Sequence, residues 1–338
     1  MKVYQFTQFG GPEGLTLADL PEPTPGPGQV LIRVRAVSLN YRDLLVARGQ
    51  YAGKLPAGLT PLSDGAGEVV AVGAGVSRVK TGDRVAGIFF QAWLDGGIKA
   101  AYHGSALGGA VNGMLAEHVT LSEEGVVKLP DYLTYEEAAT LPCAAVTAWD
   151  GLVEQGRLAA GETVLLLGTG GVSLFALQIA KMHGARVIIT SSSDEKLERA
   201  KSLGADEVVN YKTTPDWDRA VWALTGKQGV DHVVEVGGAG TLEKSLQSTR
   251  YGGHVALTGV LTGLAPQVSP LAILWKSLRV SGIYVGSRAM FERLLSAMAV
   301  SETHPVIDRV FGFGEARAAY EYMETGQHFG KVVIKVGG

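Results

Sequence analysis

The sequence predicts an α/β protein in which a doubly wound parallel sheet is joined to a second, mainly-β region. Three observations predict this class. The chain has 338 residues, enough for about two domains. Its first part contains short apolar runs separated by glycine and proline turns, and from about Tyr135 apolar runs alternate with helical periodicity. Strands that alternate with helices form βαβ units, whose parallel sheet is covered on both faces.

The N-terminal region, to about Gly125, predicts strands. Val30 to Val37 alternates apolar and charged side chains, as a half-buried strand does. Glu68 to Val72 and Arg84 to Phe90 are further apolar runs, and glycine-containing turns separate them. Short strands at this spacing indicate a barrel or a sandwich.

The second region predicts helices and strands in alternation. Helical periodicity from Tyr135 to Gln155 precedes TVLLLG, a continuous apolar run that suits a central parallel strand. The next predicted elements are a helix from Val172 to His183, a strand from Arg186 to Thr190, a helix from Glu195 to Leu203, and strands from Glu207 to Asn210, Val230 to Glu235 and His254 to Thr258. A helix from Arg317 to Thr325 precedes a last strand, Lys331 to Val336, which we expect to join the N-terminal region.

Composition and charge exclude several classes of protein. Hydrophobic residues make up 46% and charged residues 19%, as in globular proteins, and the net charge of −3 argues against a nucleic-acid or anionic-membrane partner. The single cysteine, Cys143, excludes an intrachain disulfide and a four-cysteine zinc site. We expect no secretory signal before the first strand, no membrane span, a cytoplasmic location and a small-molecule substrate.

The clearest motif is a glycine-rich turn between the strand TVLLL and the following helix. It consists of Gly168, Thr169, Gly170, Gly171, Val172 and Ser173. Gly168 permits a tight turn, Gly170 lets the backbone approach a pyrophosphate, and the helix N-terminus holds the anion. Ser173 stands where the fingerprint has a third glycine, and strand–helix packing tolerates this small residue. The motif in this context predicts dinucleotide binding.

The end of the second predicted strand decides which dinucleotide is favoured. An NAD site usually has an acidic residue there, whereas this chain has Thr190 followed by Ser191, Ser192 and Ser193. Ser192 and Glu195 have the spacing of a helix capping box. Ser191 and Ser192 can donate to a 2′-phosphate and Lys196 can add positive charge. The sequence therefore predicts NADP(H) over NAD(H).

A series of motifs runs in a fixed order through nearly the whole chain. They are SLNYRD (38–43), DGAGEVVAVGAGV (64–76), GDRV (82–85), LPCAAVTAW (141–149), GTGGVSLFALQIAK (168–181), SSSDEKLERAKSLGAD (191–206), GVDHVVEVGG (229–238) and GKVVIKV (330–336). The chain thereby resembles the medium-chain dehydrogenases/reductases, in particular their zinc-independent, quinone-oxidoreductase-like branch. The resemblance implies a GroES-like catalytic domain (1–125 and 287–338) and a Rossmann domain (126–286), with the catalytic cleft between them.

The same resemblance implies that zinc does not bind. Where zinc-dependent relatives have their first cysteine ligand and their histidine ligand, this chain has Asn40 and Ser63, followed by Asp64. Only Cys143 retains the residue type of a ligand. The segment 93–112, which would carry structural zinc, has no cysteine, and the histidines show no paired spacing. We expect no metal, and we expect Cys143 to be a small residue beside the substrate pocket.

Without a metal, the resemblance implies transfer of hydride from NADPH to a quinone or an α,β-unsaturated carbonyl. Asn40 is the candidate hydrogen-bond donor, although an Asx turn is an alternative use for its side chain. Tyr51 is expected to donate a hydrogen bond or proton or to line the pocket, and Asp43 to orient loop groups. Phe89 and Trp93 fall at the implied pocket floor, with ordinary core as the alternative.

The resemblance also implies the remaining cofactor contacts and the assembly. The expected cofactor residues are Thr147, Tyr211, Gly237, Val260, Leu261, Val285, Gly286 and Lys331. The strand VSGIYV (280–285) is expected to pair with its copy in a homodimer. Two other functions stay open at this point: a zinc-type alcohol dehydrogenase-like enzyme that acts on alcohols or aldehydes, and a non-catalytic NADPH-binding protein.

Overall fold

The computed structural model describes residues 1–51, 53, 55–263 and 268–337. The chain divides into two compact units. Met1–Val146 and Gly286–Gly338 form the first unit, called here the β-rich unit, and Thr147–Val285 forms the second, the dinucleotide unit. The predicted class, a parallel α/β sheet joined to a mainly-β domain, is confirmed.

The secondary structure follows the predicted alternation. The strands are β1 (Lys2–Phe6), β2 (Leu15–Asp19), β3 (Gln29–Leu39), β4 (Asp64–Val72), β5 (Arg84–Gly87), β6 (His118–Ser122), β7 (Val126–Lys128), β8 (Thr163–Leu167), β9 (Arg186–Ser191), β10 (Glu207–Asn210), β11 (Val230–Glu235), β12 (Thr249–Leu257), β13 (Arg279–Gly282), β14 (Ile307–Gly312) and β15 (Lys331–Lys335). The helices are α1 (Tyr41–Ala47), α2 (Tyr135–Ala138), α3 (Val146–Trp149), α4 (Gly171–Met182), α5 (Asp194–Ser202), α6 (Trp217–Leu224), α7 (Leu242–Ser248), α8 (Leu271–Trp275), α9 (Arg288–Val300) and α10 (Ala316–Glu324).

The dinucleotide unit is built on a six-stranded sheet in which every neighbouring pair of strands is parallel. The strand order is β10-β9-β8-β11-β12-β13, so the chain moves outward from β8 in one direction and then returns to β11 on its other side. Leu165, Ile188, Val233 and Val255 are fully buried in its core. In such sheets ligands bind at the carboxyl ends of the strands where the order reverses, which here are the ends of β8 and β11.

The β-rich unit contains a seven-stranded sheet in the order β14-β15-β3-β4-β5-β7, with β6 also paired to β3. The last strand, β15, lies antiparallel to β3, so the predicted return of the chain to the N-terminal region is confirmed. Phe6, Ile32, Val69, Tyr320 and Ile334 are fully buried in the core beneath these strands. This arrangement brings residues from both ends of the sequence together.

Two details of the sequence prediction differ from the structure. The β-rich unit extends to Val146 rather than ending near residue 125, because β7 pairs with β5. The predicted helical stretch from residue 135 to 155 is broken into α2, α3 and the wider π-helical turns Leu141–Ala145 and Asp150–Gln155. Pro142 has no backbone N–H to continue an α-helical ladder. In the described ranges, no helix has the length and apolar character needed to cross a bilayer.

Candidate active site

The glycine turn of the dinucleotide unit has open space in front of it. Gly168 has a φ of +71°, a conformation that favours glycine. Gly170 precedes the first residue of α4, and no side chain caps that helix. A Cβ added at Gly168 or at Gly170 would meet no other atom within 4 Å. Free N–H groups at a helix start with this space in front fit a pyrophosphate.

Ser173 explains why the turn tolerates the loss of its third glycine. Its side chain is buried, and its Oγ donates to the carbonyl oxygen of Leu167 at 2.7 Å. The hydroxyl therefore ties the first turn of α4 to the end of β8. Gly168 N also donates to Thr190 Oγ1, at 3.4 Å, which joins the ends of β8 and β9.

The ends of β9 and β10 bring together the residues that were predicted to determine the preference for NADP(H) over NAD(H). Ser191 and Asn210 are partners in the parallel register, and Tyr211 N donates to the carbonyl oxygen of Ser191 at 3.0 Å. Ser191 is buried, whereas Tyr211 is 41% exposed. Lys196 lies in the first turn of the adjacent helix α5. Ser191, Lys196 and Tyr211 thus lie at one edge of the sheet.

The predicted capping box of Ser192 and Glu195 is wrong. The cap of α5 is Ser193, whose Oγ accepts from Lys196 N at 3.3 Å. The reason is that β9 continues to Ser191 and α5 begins at Asp194, which moves the cap one residue along. The Asp194 carboxylate accepts from Asn210 Nδ2 at 2.7 Å.

The turn after β11 is held by Glu235, a residue that the sequence reasoning missed. Its carboxylate is fully buried, and Oε1 accepts from Gly237 N at 2.7 Å, Gly238 N at 2.8 Å and Thr241 Oγ1 at 2.6 Å. Ser245 Oγ donates to the other carboxylate oxygen. An acidic residue at the end of a buried apolar strand, just before paired glycines, is the signal that could have identified it.

The turn after β12 is joined to this first turn. Thr262 N and Thr262 Oγ1 both donate to the carbonyl oxygen of Gly237 at 2.8 Å. Leu261 N donates to the carbonyl oxygen of Val236 at 3.2 Å, and the side chains of Val260 and Leu261 are exposed. Glu235 therefore supports, through Gly237, both strand-end turns at which cofactor contacts were predicted.

The predicted nicotinamide-flanking residues lie where the two units divide. Val285 has a φ of +98°, which is rare for a β-branched residue and indicates backbone strain of the kind that concentrates at functional sites. A Cβ at Gly286 would come within 2.7 Å of Val146 Cγ1, so this position requires glycine. Thr147, the other residue predicted here, is buried.

In the β-rich unit, Asn40 is the N-cap of α1 in a capping box with Asp43, and its side chain also binds a residue far along the chain. Asn40 directly precedes α1, and its backbone N–H donates to Asp43 Oδ2 at 2.7 Å. Its side-chain Oδ1 accepts from Lys331 Nζ at 2.6 Å. The amide Nδ2 is buried and makes no hydrogen bond in the described part of the chain. Asp43 thus holds the backbone of Asn40, and an orienting role for Asp43 in the active site stays a prediction.

Lys331 and Asp64 form a buried pair beside Asn40. Lys331 Nζ donates to the carbonyl oxygen of Leu39 at 2.7 Å and lies 4.0 Å from Asp64 Oδ2. Ser63 Oγ donates to Asp64 Oδ1 at 2.7 Å, and Cys143 N donates to Asp64 Oδ2 at 3.1 Å. Burial lowers the pKa of Lys331 and raises the pKa of Asp64, and the attraction between the two charges opposes both shifts.

Arg42 is a second residue that the sequence reasoning missed. Its guanidinium carbon lies 4.3 Å from the centroid of the Tyr51 ring and 5.1 Å from that of Phe89. Its Nη1 donates to Asp43 Oδ1 at 3.2 Å and to the carbonyl oxygen of Gly108 at 2.9 Å. Burial raises the pKa of Asp43 to about 6, against the attraction of Arg42. Arg42 therefore links Tyr51 and Phe89 to Asp43 in α1 and to the backbone at Gly108.

Phe89 and Trp93 belong to one aromatic cluster, connected through Phe90. Trp93 stacks on Tyr102 with ring centroids 6.1 Å apart, and Phe89 contacts Phe90 edge to face at 4.7 Å. Phe89 and Trp93 are both almost fully buried. The cluster supports the segment in which zinc-dependent relatives were expected to carry cysteines, and a role in lining a pocket stays a prediction for both residues.

No group of three or more His, Cys, Asp or Glu side chains within the described ranges has a geometry that could hold a metal ion. Cys143 is only partly buried as a residue, yet burial of its thiol, together with Asp64, raises the pKa of that thiol. In the absence of a metal, the thiol form of Cys143 is therefore favoured over the thiolate.

Two family models match the chain. Residues 26–131 match the alcohol dehydrogenase GroES-like domain, and residues 171–300 match the domain described as zinc-binding dehydrogenase. A zinc-type alcohol dehydrogenase-like protein of Schizosaccharomyces pombe is 43% identical, over 92% of this chain and 91% of its own length. A quinone oxidoreductase of Pseudomonas aeruginosa is 33% identical, over 98% of this chain and 99% of its own length.

Solved structures give the same result for the fold. An NAD-dependent alcohol dehydrogenase superposes with a TM-score of 0.91 at 36% identity and covers both chains completely. A mycobacterial protein in complex with NADPH superposes with a TM-score of 0.83 at 30% identity, over 99% of each chain. Both the fold and the enzymatic class, an NAD(P)-dependent oxidoreductase, agree with the sequence predictions.

Proposed function

Because the chain belongs to the medium-chain dehydrogenase/reductase superfamily, we propose that it is an NADPH-dependent, zinc-free reductase of quinones or α,β-unsaturated carbonyls. One observation carries this proposal. The Asn40 amide has its oxygen bound to Lys331, while its Nδ2 is buried and makes no hydrogen bond in the described residues. A buried donor without a partner costs about 1–3 kcal/mol. The carbonyl oxygen of a substrate would relieve that cost.

The residues at the sheet edge support NADPH as the cofactor. The open glycine turn would hold the pyrophosphate, and Ser191, Ser192, Lys196 and Tyr211 would hold the 2′-phosphate. Asp194, the first acid after the serines, is bound by Asn210. When bound, NADPH would supply a hydride from its nicotinamide ring. The mycobacterial relative in complex with NADPH favours this choice, and the NAD-dependent relative is the reason to measure both cofactors.

The donor atoms beside Cys143 do not fit catalytic zinc. A zinc site of this type needs three protein ligands that can be thiolate, imidazole or carboxylate. Here Asn40 Oδ1 accepts from an ammonium group at 2.6 Å, and the Ser63 hydroxyl donates to Asp64. The Lys331 charge would repel a divalent cation at this place, and the Cys143 thiol has a raised pKa. We therefore derive no step that involves a metal.

The residues present can assist reduction of a conjugated carbonyl. Hydride adds to the β-carbon of the acceptor, and the electron pair of the double bond moves to the carbonyl oxygen as an enolate. Asn40 Nδ2 would donate to that oxygen, and one such donor contributes about 2.7–4 kcal/mol. Tyr51, in contact with Arg42, would supply the proton to the α-carbon and recover it from solvent. A plain ketone lacks this route for spreading charge.

An alcohol dehydrogenase-like activity on alcohols or aldehydes is the second candidate. It is favoured by the alcohol dehydrogenase names of the S. pombe relative and of the NAD-dependent relative. The test is the oxidation of NADPH and of NADH by purified protein with separate panels of quinones, enones and aldehydes. We expect turnover with NADPH and the conjugated acceptors. Turnover with aldehydes alone favours the second candidate, and tight NADPH binding without any turnover favours a binding protein.

The edge of the six-stranded sheet supports assembly as a homodimer. Strand β13 is the last strand of the sheet order and pairs with β12 on one side. Val280 and Tyr284 are each more than a third exposed there. Light scattering at micromolar concentration should give twice the mass of the chain, and a monomer mass would contradict this assembly.

A further inference from the structure

The orientation of the Asn40 amide decides whether the site presents a donor or an acceptor. An asparagine side chain can turn either its oxygen or its nitrogen toward a given partner. Lys331 settles this choice because an ammonium group only donates hydrogen bonds. With Lys331 Nζ at 2.6 Å, Asn40 must present Oδ1 to it, and Nδ2 is left for another partner.

The position of Lys331 is fixed by three neighbouring strands. Lys331 begins β15, Leu39 ends β3 and is followed by Asn40, and Asp64 begins β4. In the antiparallel registers Val332 pairs with Leu39, and Ser38 pairs with Asp64. These pairings hold the ammonium between the Leu39 carbonyl oxygen and the Asp64 carboxylate. The Lys331 charge is therefore held by rigid elements rather than by a loop.

Asp64 has other partners and engages at most one N–H of the Asn40 amide. Ser63 Oγ donates to Asp64 Oδ1, and the backbone N–H of Cys143 donates to Oδ2. The Asn40 side chain faces Asp64 closely enough for a hydrogen-bonding interaction that lowers the pKa of that carboxyl, although Nδ2 makes no hydrogen bond of ideal geometry. Because the amide nitrogen carries two N–H groups, at least one of them is left for another acceptor.

We propose that Lys331, paired with Asp64, is a positioning residue that keeps Asn40 Nδ2 directed at the acceptor oxygen. This inference rests on the proposed reductase function. It differs from the direct cofactor contact that the sequence resemblance implies for Lys331. The two roles predict opposite kinetics, because loss of a cofactor contact weakens NADPH binding whereas loss of the amide orientation slows turnover.

The experiment compares Lys331→Met and Lys331→Arg with the wild-type protein. Lys331→Met retains the length of the side chain and removes the donor, so Asn40 is free to rotate. We expect kcat with a quinone to fall about 10²-fold, while the dissociation constant for NADPH, measured by fluorescence, stays within about twofold. Lys331→Arg restores a donor and should recover part of kcat. A raised dissociation constant with unchanged kcat would overturn the proposal and favour the cofactor contact.

A double-mutant cycle with Asn40→Ala provides a second test. If Lys331 acts through Asn40, adding Lys331→Met to Asn40→Ala should lower kcat by less than about twofold more. Independent, multiplying losses would contradict the positioning role. If Lys331→Met fails to fold, Lys331→Arg in the same cycle gives the answer. Absence of turnover in the wild-type protein refutes the proposed function instead, and coupling between the two residues in thermal unfolding would then report only their structural contact.

Discussion

The glycine turn of the dinucleotide unit and the polar cluster of the β-rich unit are built in opposite ways. In the turn, six consecutive residues provide backbone N–H groups and open space, and no side chain caps the helix that follows. In the cluster, Asn40, Asp64, Cys143 and Lys331 come from distant parts of the chain and meet through buried hydrogen bonds. The turn thus leaves space for a ligand, whereas the cluster fixes its side chains through hydrogen bonds to one another.

This difference predicts different consequences of mutation. A substitution in the turn or its supports should change cofactor affinity, since that region is the proposed site of the cofactor. A substitution in the cluster should change kcat, since those residues are proposed to stabilise charge on the acceptor. The changes at Asn40, Glu235 and Ser192 below separate these two readouts, and the change at His254 tests the stability of the dinucleotide unit.

The largest effect is expected for Asn40→Ala. Removal of the proposed donor should lower kcat with a quinone by about 10²–10³-fold, with little change in NADPH affinity. Ser38→Ala is the matched control, because the Ser38 Oγ is also buried without a hydrogen-bond partner in the described residues. An Asn40→Ala protein that is folded and as fast as the control would refute the donor role.

Acid should destabilise the dinucleotide unit through His254. Burial, with His232 and Arg279 nearby, lowers the pKa of His254 to about 4, so the folded state favours the neutral ring. The contribution of neutral His254 to the free energy of unfolding is therefore complete above about pH 6.5. It is lost as the pH falls toward 4, which lowers the free energy of unfolding by about 3 kcal/mol. Urea unfolding of the wild type and of His254→Leu at several pH values measures this loss of stability. If the free energy of unfolding falls equally with decreasing pH in both proteins, His254 is not responsible for the loss.

Glu235→Gln should weaken the support of the cofactor turns. The neutral amide cannot accept all the hydrogen bonds that converge on the carboxylate, so stability should fall by about 2 kcal/mol. NADPH affinity should fall about tenfold because the turn at Gly237 loses its fixed geometry. Glu243→Gln, at an exposed position on α7, is the control. A fall in kcat with unchanged affinity would instead connect Glu235 to the chemistry.

The smallest effect is expected for Ser192→Asp. A carboxylate at the end of β9 should repel a 2′-phosphate and accept a hydrogen bond from a ribose hydroxyl, so NADPH affinity falls about tenfold while NADH affinity is retained or rises. Ser202→Asp, an exposed position at the end of α5, controls for the added charge. If NADPH and NADH respond equally, the 2′-phosphate does not lie at this strand end.

The sequence predicted the turn far better than the cluster. The glycine motif is local: its strand, turn and helix are continuous, so spacing alone predicts where they meet. The hydrogen bond from Lys331 to Asn40 depends on the pairing of β15 with β3, and no local sequence pattern predicts that pairing. Arg42 was missed for the same reason, because its partners Phe89 and Gly108 lie far along the chain. Glu235 has local partners, and the signal that it carries, an acidic residue at the end of an apolar strand before paired glycines, was overlooked. The sequence prediction placed the cap of α5 at Ser192, whereas β9 continues to Ser191 and the cap is Ser193.

Quinone-dependent oxidation of NADPH, by protein whose zinc content has been determined before and after chelation, tests the account most directly. We expect turnover that is the same at low and high zinc content, that is faster with NADPH than with NADH, and that Asn40→Ala lowers by about 10²–10³-fold. Turnover that follows the zinc content, or that appears only with aldehydes or alcohols, would contradict it.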